Sequence, residues 1–242
     1  MVKATFSFVG KLNDFLREQD KGTAIPCTFN SDQSVKHMIE SLGIPHTEVG
    51  SILVNGEAVD FSYLVGDGDH VEAYPQGNYL SDEGQNHEPR FVLDIHLGRL
   101  AHYLRMLGFD TLYRNDYHDD ELADLSAVED RILLTRDRRL LMRNQVQRGY
   151  WVRHKIPRQQ IVEVLRRYDL CNRVSPFRRC IHCNGLLQPI SKEEVLHRLE
   201  PLTKKYYQQF RICPDCERIF WQGSHYERML QFIDQVMVEA RQ

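Results

Sequence analysis

The chain has 242 residues, 42% of them hydrophobic and 27% charged, and a formal net charge of −3. That composition excludes a disordered or collagen-like protein, and no apolar run approaches the ~20 residues that a membrane span needs. The opening stretch, MVKATFSFVGKLNDF, lacks the long apolar core of a secretory signal, so a cytoplasmic protein with no membrane partner is expected.

Charge is unevenly distributed. Residues 1–80 sum to −6, 81–89 to −3, 90–150 to zero and 151–242 to +6. A basic back behind an acidic front points to an anionic partner, nucleic acid being the commonest, against the plainer reading of solvated charged faces.

In chain order, Phe6 and Phe8 alternate with small polar residues in a first strand. Val35, Met38, Ile39 and Leu42 recur at helical spacing, with Ser34 placed to cap the helix and Gly43 to end it. SILVNGEAV (51–59) holds two short apolar runs around Asn55-Gly56, a strong hairpin signal. GDGDHVEAYP (66–75) supplies a turn and a last strand. This order predicts a β-grasp, ubiquitin-like domain over 1–77. The stretch SVKHMIESLGIPHTEVGSILVNGEAVDFSYLVGDGDHVEAYP resembles the ubiquitin-like domain that precedes PIN-like RNase domains in the Mut-seven-C family, and more distantly the bacterial sulfur carriers. Carriers end in a free Gly-Gly, whereas here the chain runs on through PQGNYLSDEG, so a module for an unknown protein partner, or a stabilising one, is expected. Residues 78–89 are polar and aperiodic and read as a linker.

FVLD (91–94) is an apolar strand ending in an acid, followed by helical spacing of Leu97, Leu100, Ala101, Leu104 and Leu107 up to Gly108. TLYRND (111–116), ILLT (132–135) and YWVRH (150–154) read as further strands, with acid-fronted HDDELADLSAVED (118–130) and Pro157-led helices between and after them. Alternating strands and helices predict a parallel α/β sheet, with Asp94, Asp116 and Asp137 emerging at one edge beside Asp119 and Glu121. Converging carboxylates suit Mg²⁺ or Mn²⁺. Taken singly, Asp94, Asp119 and Asp137 each also fit a helix N-cap, Asp116 fits a turn, and Asp120 fits a solvated position.

The run FVLDIHLGRLAHYLRMLGFDTLYRND…DDELADLSAVEDRILLTRDRRL resembles the PIN-like RNase domain of the Mut-seven-C family. The resemblance implies catalytic, metal-holding acids at Asp94, Asp119 and Asp137, with Glu121 beside them. Arg136, Arg138 and Arg139 flank the last acid as phosphate holders, the alternative being that they pair with the acids. A haloacid-dehalogenase-type phosphatase would need an Asp where His96 stands.

Behind this PIN-like domain (90–172), residues 173–242 carry Cys180-x-x-Cys183 and Cys213-x-x-Cys216, 29 residues apart. Two such knuckles supply four thiolates to a structural Zn²⁺, which implies a zinc ribbon. Cys27 and Cys171 have no such pattern. Ser191-x-x-Glu194 is a capping box. KKYYQQFR (204–211) mixes basic and aromatic residues, either an amphipathic helix covering the ribbon or a surface for phosphates and bases. IFWQGSHYERM (219–229) also resembles the family's ribbon and brings in His225 as a substrate contact; Met229, Phe232, Ile233 and Val236 then mark a terminal helix.

The expectation is a metal-dependent ribonuclease acting on RNA, with structured RNA, tRNA and ribosome-associated RNA among the candidates. The competing expectation is a non-catalytic RNA- or ribosome-binding adaptor.

Overall fold

The computed structural model describes residues 1–30, 33–77 and 88–242. Most of the expected linker, 78–87, lies outside the described residues. The chain makes two compact units: one unites Met1–Glu83 with His118–Trp151, the other Gly84–Tyr117 with Val152–Gln242. No helix among the described residues is long and apolar enough to cross a membrane.

The chain opens with β1 (Val2–Phe8), β2 (Ile25–Phe29), helix α1 (Val35–Ser41), β3 (Val49–Val54), β4 (Glu57–Val59) and β5 (His70–Pro75). Among the described residues these strands form one sheet in the order β2-β1-β5-β3-β4, with β1 and β5 parallel and the other neighbours antiparallel. That is the mixed topology expected of a β-grasp. Ser34 Oγ accepts from the His37 N–H at 3.2 Å and so caps α1. Asn55 and Gly56 take φ of 53° and 86° between β3 and β4, the left-handed pair that a tight hairpin requires. Phe6, Leu12, Val35, Ile39, Ile44 and Val71 are fully buried at the centre of this domain's core. β2 was not anticipated. It contains Pro26, which lacks an N–H to give a central ladder, and it lies at the sheet edge, where proline is tolerated.

Next come β6 (Phe91–Leu93), α2 (Gly98–Met106) and β7 (Thr111–Leu112), with β6 and β7 parallel. Then α3 (Asp119–Val128), β8 (Ile132–Thr135), α4 (Arg138–Leu141) and β9 (Gly149–Trp151) follow, with β8 and β9 parallel. The four residues of β8 are all buried, as an apolar strand covered on both faces should be.

The last third holds α5 (Pro157–Arg167), β10 (Gln188–Ile190), α6 (Lys192–Val195), α7 (Pro201–Tyr206), β11 (Phe210–Ile212), β12 (Ile219–Trp221) and α8 (Ser224–Arg241). Helix α5 packs against α2 and α8, and the Tyr103 and Phe232 rings of α2 and α8 lie 4.5 Å apart. Strands β10, β11 and β12 form a three-stranded antiparallel sheet among the described residues. The KKYYQQFR segment is therefore divided: its helix stops at Tyr206, and Phe210 turns inward on a strand.

One seam explains why 118–151 groups with the N-terminal domain. Glu48 Oε1 accepts from the Trp151 N–H at 2.7 Å, His46 Nε2 lies 2.9 Å from the Val146 carbonyl, and Lys36 Nζ donates to Asn144 Oδ1 at 2.6 Å. Trp151 also packs on the domain's core. A half-buried ring packed on a core and framed by three hydrogen bonds, one of them buried, makes this a packed interface, unlike a tethered module.

Candidate active site and thiol metal centre

In the second unit, β6 ends at Asp94, which is only 5% exposed. Its backbone carbonyl accepts from the Leu97 N–H at 2.9 Å to start a 3-10 turn. Tyr113 holds that turn by donating its hydroxyl to the Ile95 carbonyl at 3.0 Å. Gly98 makes room, since a Cβ there would come 2.6 Å from the Tyr113 oxygen. Asp94 occupies an N-cap position, but its side chain makes no capping bond. Asp116 is exposed and forks onto Arg114 at 2.9 and 2.7 Å, which fits the turn reading. His96 is exposed.

In the first unit, Asp137 sits between β8 and α4. Its N–H donates to Thr135 Oγ1 and its Oδ1 accepts from the Arg139 N–H, each at 2.8 Å. Here the capping reading is observed: Asp137 caps α4. Asp119 is the first residue of α3, and Glu121 Oε2 reaches back to the His118 N–H at 3.0 Å. Arg143 forms a short ion pair with Asp120 and lies 3.9 Å from Asp119. Asp120 raises the Arg143 pKa through that hydrogen bond.

The three arginines differ. Arg139 is exposed. Arg136 is half-buried, its carbonyl accepts from Trp151 Nε1 at 3.2 Å, and its Nε is buried without a hydrogen bond among the described residues. Arg138 is stacked over the Trp151 ring at 4.1 Å and the Phe15 ring at 4.9 Å, and donates to the Phe15 carbonyl at 3.0 Å. Its guanidinium thus clamps the N-terminal domain to the turn that carries Asp137, a use no local sequence pattern discloses because Phe15 is 123 residues away. Arg138→Ala is expected to cost about 2–4 kcal/mol, from a half-buried cation–π pair and a charged hydrogen bond. Arg138→Lys should recover little, because an ammonium has no planar fork to stack. Urea unfolding checks both, and unchanged midpoints would exclude the clamp.

The four cysteines come together. Their sulfurs all lie within 4.8 Å of one another, with Cys180–Cys216 at 3.6 Å and Cys183–Cys213 at 3.3 Å. Tetrahedral zinc with Zn–S bonds of about 2.3 Å sets sulfurs about 3.8 Å apart. Each knuckle closes by backbone bonds: Asn184 N–H to Cys180 carbonyl at 2.9 Å, and Glu217 N–H to Cys213 carbonyl at 2.8 Å. Asn184 and Glu217 take φ of 76° and 56° to do so. Burial pushes the Cys180 and Cys183 thiols up, while backbone N–H groups of His182, Cys183 and Gly185 aimed at their sulfurs act the other way. Burial also acts upward on Cys216, but the Arg218 N–H and neighbouring thiols bring it below its ordinary value. N–H groups aimed at sulfur stabilise thiolate, so the donor set fits a closed tetrahedral metal site. Among the described residues this is the set of three or more such ligands gathered this closely; Asp119, Glu121 and Asp137 do not form one.

Sequence reasoning missed what anchors this sheet to the rest of its unit. Asn184 accepts from the Thr111 N–H and donates to Asp110, both at 2.9 Å. Buried Arg105 donates to the carbonyls of Thr111 at 2.9 Å and His182 at 2.6 Å. Gly108 at φ +100° completes the seam, since a Cβ there would meet the Ser175 carbonyl at 2.2 Å.

Residues 89–233 match the family model for the Mut7-C RNAse domain, and residues 1–80 that for the Mut7-C ubiquitin. The chain belongs to the Mut7-C RNAse domain family. Among the solved structures that resemble it are two that each match 32% of this chain and 100% of their own. They are small archaeal modifier protein 1 of H. volcanii, at 14% identity and TM-score 0.27, and a Pyrococcus furiosus protein assigned as molybdopterin converting factor, subunit 1, at 18% and 0.26. No curated protein matches. Membership of this RNAse family carries a ribonuclease-related function and RNA as the substrate class, and the N-terminal domain is the family's ubiquitin-like one.

Proposed function

We propose that the chain is a Mg²⁺- or Mn²⁺-dependent ribonuclease that hydrolyses RNA phosphodiester bonds. In this reading residues 90–172 are a PIN-like nuclease domain, 173–242 a zinc ribbon with its terminal helix, and 1–77 the ubiquitin-like domain. The observation that carries the reading is a buried carboxylate, Asp94, at the carboxyl end of a parallel strand inside a family-matched RNAse region. Strand carboxyl ends are where α/β sheets hold ligands.

Asp94, Asp119 and Asp137 would hold the ion, and Mg²⁺ commonly needs only one or two carboxylates, with water completing its shell. When bound, such an ion polarises the phosphate and activates water. Asp137, fixed by Thr135 and the Arg139 N–H, presents a carboxylate whose position is set before substrate arrives. In this reading the exposed Arg139 side chain would meet phosphate, whereas Arg138 is committed to its clamp. Glu121 serves α3 as a cap and orients its first turn.

Purified protein with its zinc retained should cleave single-stranded RNA only after Mg²⁺ or Mn²⁺ is added. RNA binding without turnover in either metal would overturn this reading in favour of the adaptor. A specific observation favours that competitor: Asp137, Glu121 and Arg138 each already have a structural task.

A further inference from the structure

The positive surplus of the last third has no use in the acid site, and neither do the aromatics around β12. Two cavities of about 180 and 510 Å³ share Ile181, Phe220, Trp221, Tyr226 and Met229 in their linings. The larger is completed by Tyr206 and Tyr207 of the α7 end, and by Ser224 and His225 at the start of α8. Its volume falls in the range of ligand clefts.

The exposure of its rings is unusual for side chains of this size. Tyr206 is 64% exposed and Trp221 39%, although a small sheet has few apolar groups to spare for its own core. The rings pack against one another in tilted pairs, which leaves their outer faces for a partner. Tyr207 and Trp221 have centroids 6.4 Å apart at 46°, and Phe177 and Tyr226 stand 4.5 Å apart at 37°.

Charge completes the pattern. Neither lining includes a carboxylate; of the two arginines that line the smaller cavity, Arg211 is exposed and Arg179 is paired with Asp110 at 3.2 Å. Lys205 Nζ sits 5.1 Å from the Tyr206 ring, and Lys204 precedes it on the same short helix. Gln209 and Gln222 add amides able to pair with base edges. Gly223 at the N-cap of α8 must stay small, because a Cβ would meet Trp221 Nε1 at 3.0 Å.

Exposed aromatic faces beside lysines and arginines, with no acid among them, match unpaired bases on a phosphate backbone. A duplex hides the faces that such rings would stack on. We infer that this groove on the four-cysteine sheet binds single-stranded RNA, with bases on Tyr206, Trp221 and Tyr226 and phosphates on Lys204, Lys205 and Arg211. The groove lies within one compact unit. As a substrate grip it rests on the ribonuclease reading; as a binding site it stands without it.

Fluorescence anisotropy with the full chain, zinc retained and no Mg²⁺ or Mn²⁺ added, tests this with a labelled 12-nucleotide oligouridylate and a duplex of equal length. The single strand should bind at least about tenfold more tightly than the duplex. Tyr206→Ala should weaken it by roughly five- to a hundred-fold, the worth of one stacked base. Lys204→Gln with Lys205→Gln should lower the salt slope by about 1.4. Tyr206 is exposed, so its truncation should leave zinc content and thermal midpoint unchanged; Trp221→Phe, which keeps a ring, serves as the second variant and should weaken binding less. Duplex binding equal to the single strand, or Tyr206→Ala and Trp221→Phe both binding as wild type, would overturn the groove. Asp137→Asn separates the two ideas. Normal binding with lost cleavage supports both. Cleavage lost in Asp137→Asn while Tyr206→Ala and Trp221→Phe both bind normally removes the groove and spares the nuclease. Cleavage untouched by Asp137→Asn while Tyr206→Ala binds poorly does the reverse.

Discussion

Asp94→Asn and Asp137→Asn should each lower metal-dependent RNA cleavage by at least about a hundredfold, the scale on which charge-stabilising and proton-transferring groups act, while the fold survives. Asparagine is the informative replacement because it separates the two roles an aspartate can play at a helix start. Asn is as good an N-cap as Asp, so in Asp137→Asn the side-chain amide oxygen can still accept the N–H that Asp137 now accepts from Arg139. Only the negative charge is lost. A purely capping Asp137 would therefore leave cleavage unchanged, and a metal-holding one would not. Glu121→Gln applies the same logic to the bond that Glu121 makes to the His118 N–H. Asp120→Asn is the internal control: exposed and paired with Arg143, it should change cleavage less than about threefold. Initial rates at saturating Mn²⁺, with thermal midpoints in parallel, decide the matter. Rates within twofold of wild type for both Asp94→Asn and Asp137→Asn would remove the acid site.

What was legible in the sequence was local. Asn55-Gly56 announced its hairpin because both residues must adopt positive φ, which few residue pairs tolerate. Ser34 and the Ser191–Glu194 pair announced helix starts for the same kind of reason, a side chain reaching a backbone N–H three residues on. Two CxxC pairs announced a thiol cluster because two sulfurs at that spacing already share one side of a tight turn. What escaped was made by tertiary contact. β2 is a five-residue edge strand that contains a proline, and β10 to β12 are three residues each, too short for periodicity to register. Arg138 read as a phosphate holder from its neighbours in sequence; only Phe15 and Trp151, brought up by the fold, disclose the clamp. The candidate acids occupy an intermediate place. Their positions at strand ends and helix starts could be read off, but a capping acid and a catalytic acid look alike until one asks which bonds each carboxylate makes.

Removing the metal from the four cysteines should unfold the three-stranded sheet and loosen the unit behind it. Only two small clusters hold that sheet together: Cys180, Leu187 and Cys213 with Cys216 and Phe220 around the sulfurs, and Val195, Leu199 and Phe210 with Ile190, Tyr207 and Ile219. A core so small cannot offset the chain entropy of its own residues. Zinc bound by such knuckles contributes about 10–16 kcal/mol of apparent free energy, comparable with the whole stability of a domain. Without the ion, buried thiols would crowd one another; with it, the same N–H groups that now face sulfur stabilise thiolate. The disturbance should spread, because Asn184 of the first knuckle holds the Thr111 N–H, and Arg105 bridges the His182 and Thr111 carbonyls. Cys213→Ser and Cys180→Ser are therefore expected to yield protein without stoichiometric zinc and with rapid proteolysis after residue 173. Cys27→Ser and Cys171→Ser, at half-buried positions outside the cluster, should retain zinc and change stability by about 1 kcal/mol or less. Metal analysis of the wild-type protein is the decisive measurement. If it carries no zinc and Cys213→Ser unfolds at the wild-type midpoint, the four sulfurs are only neighbours in a small core, and some other interaction must hold this sheet in place.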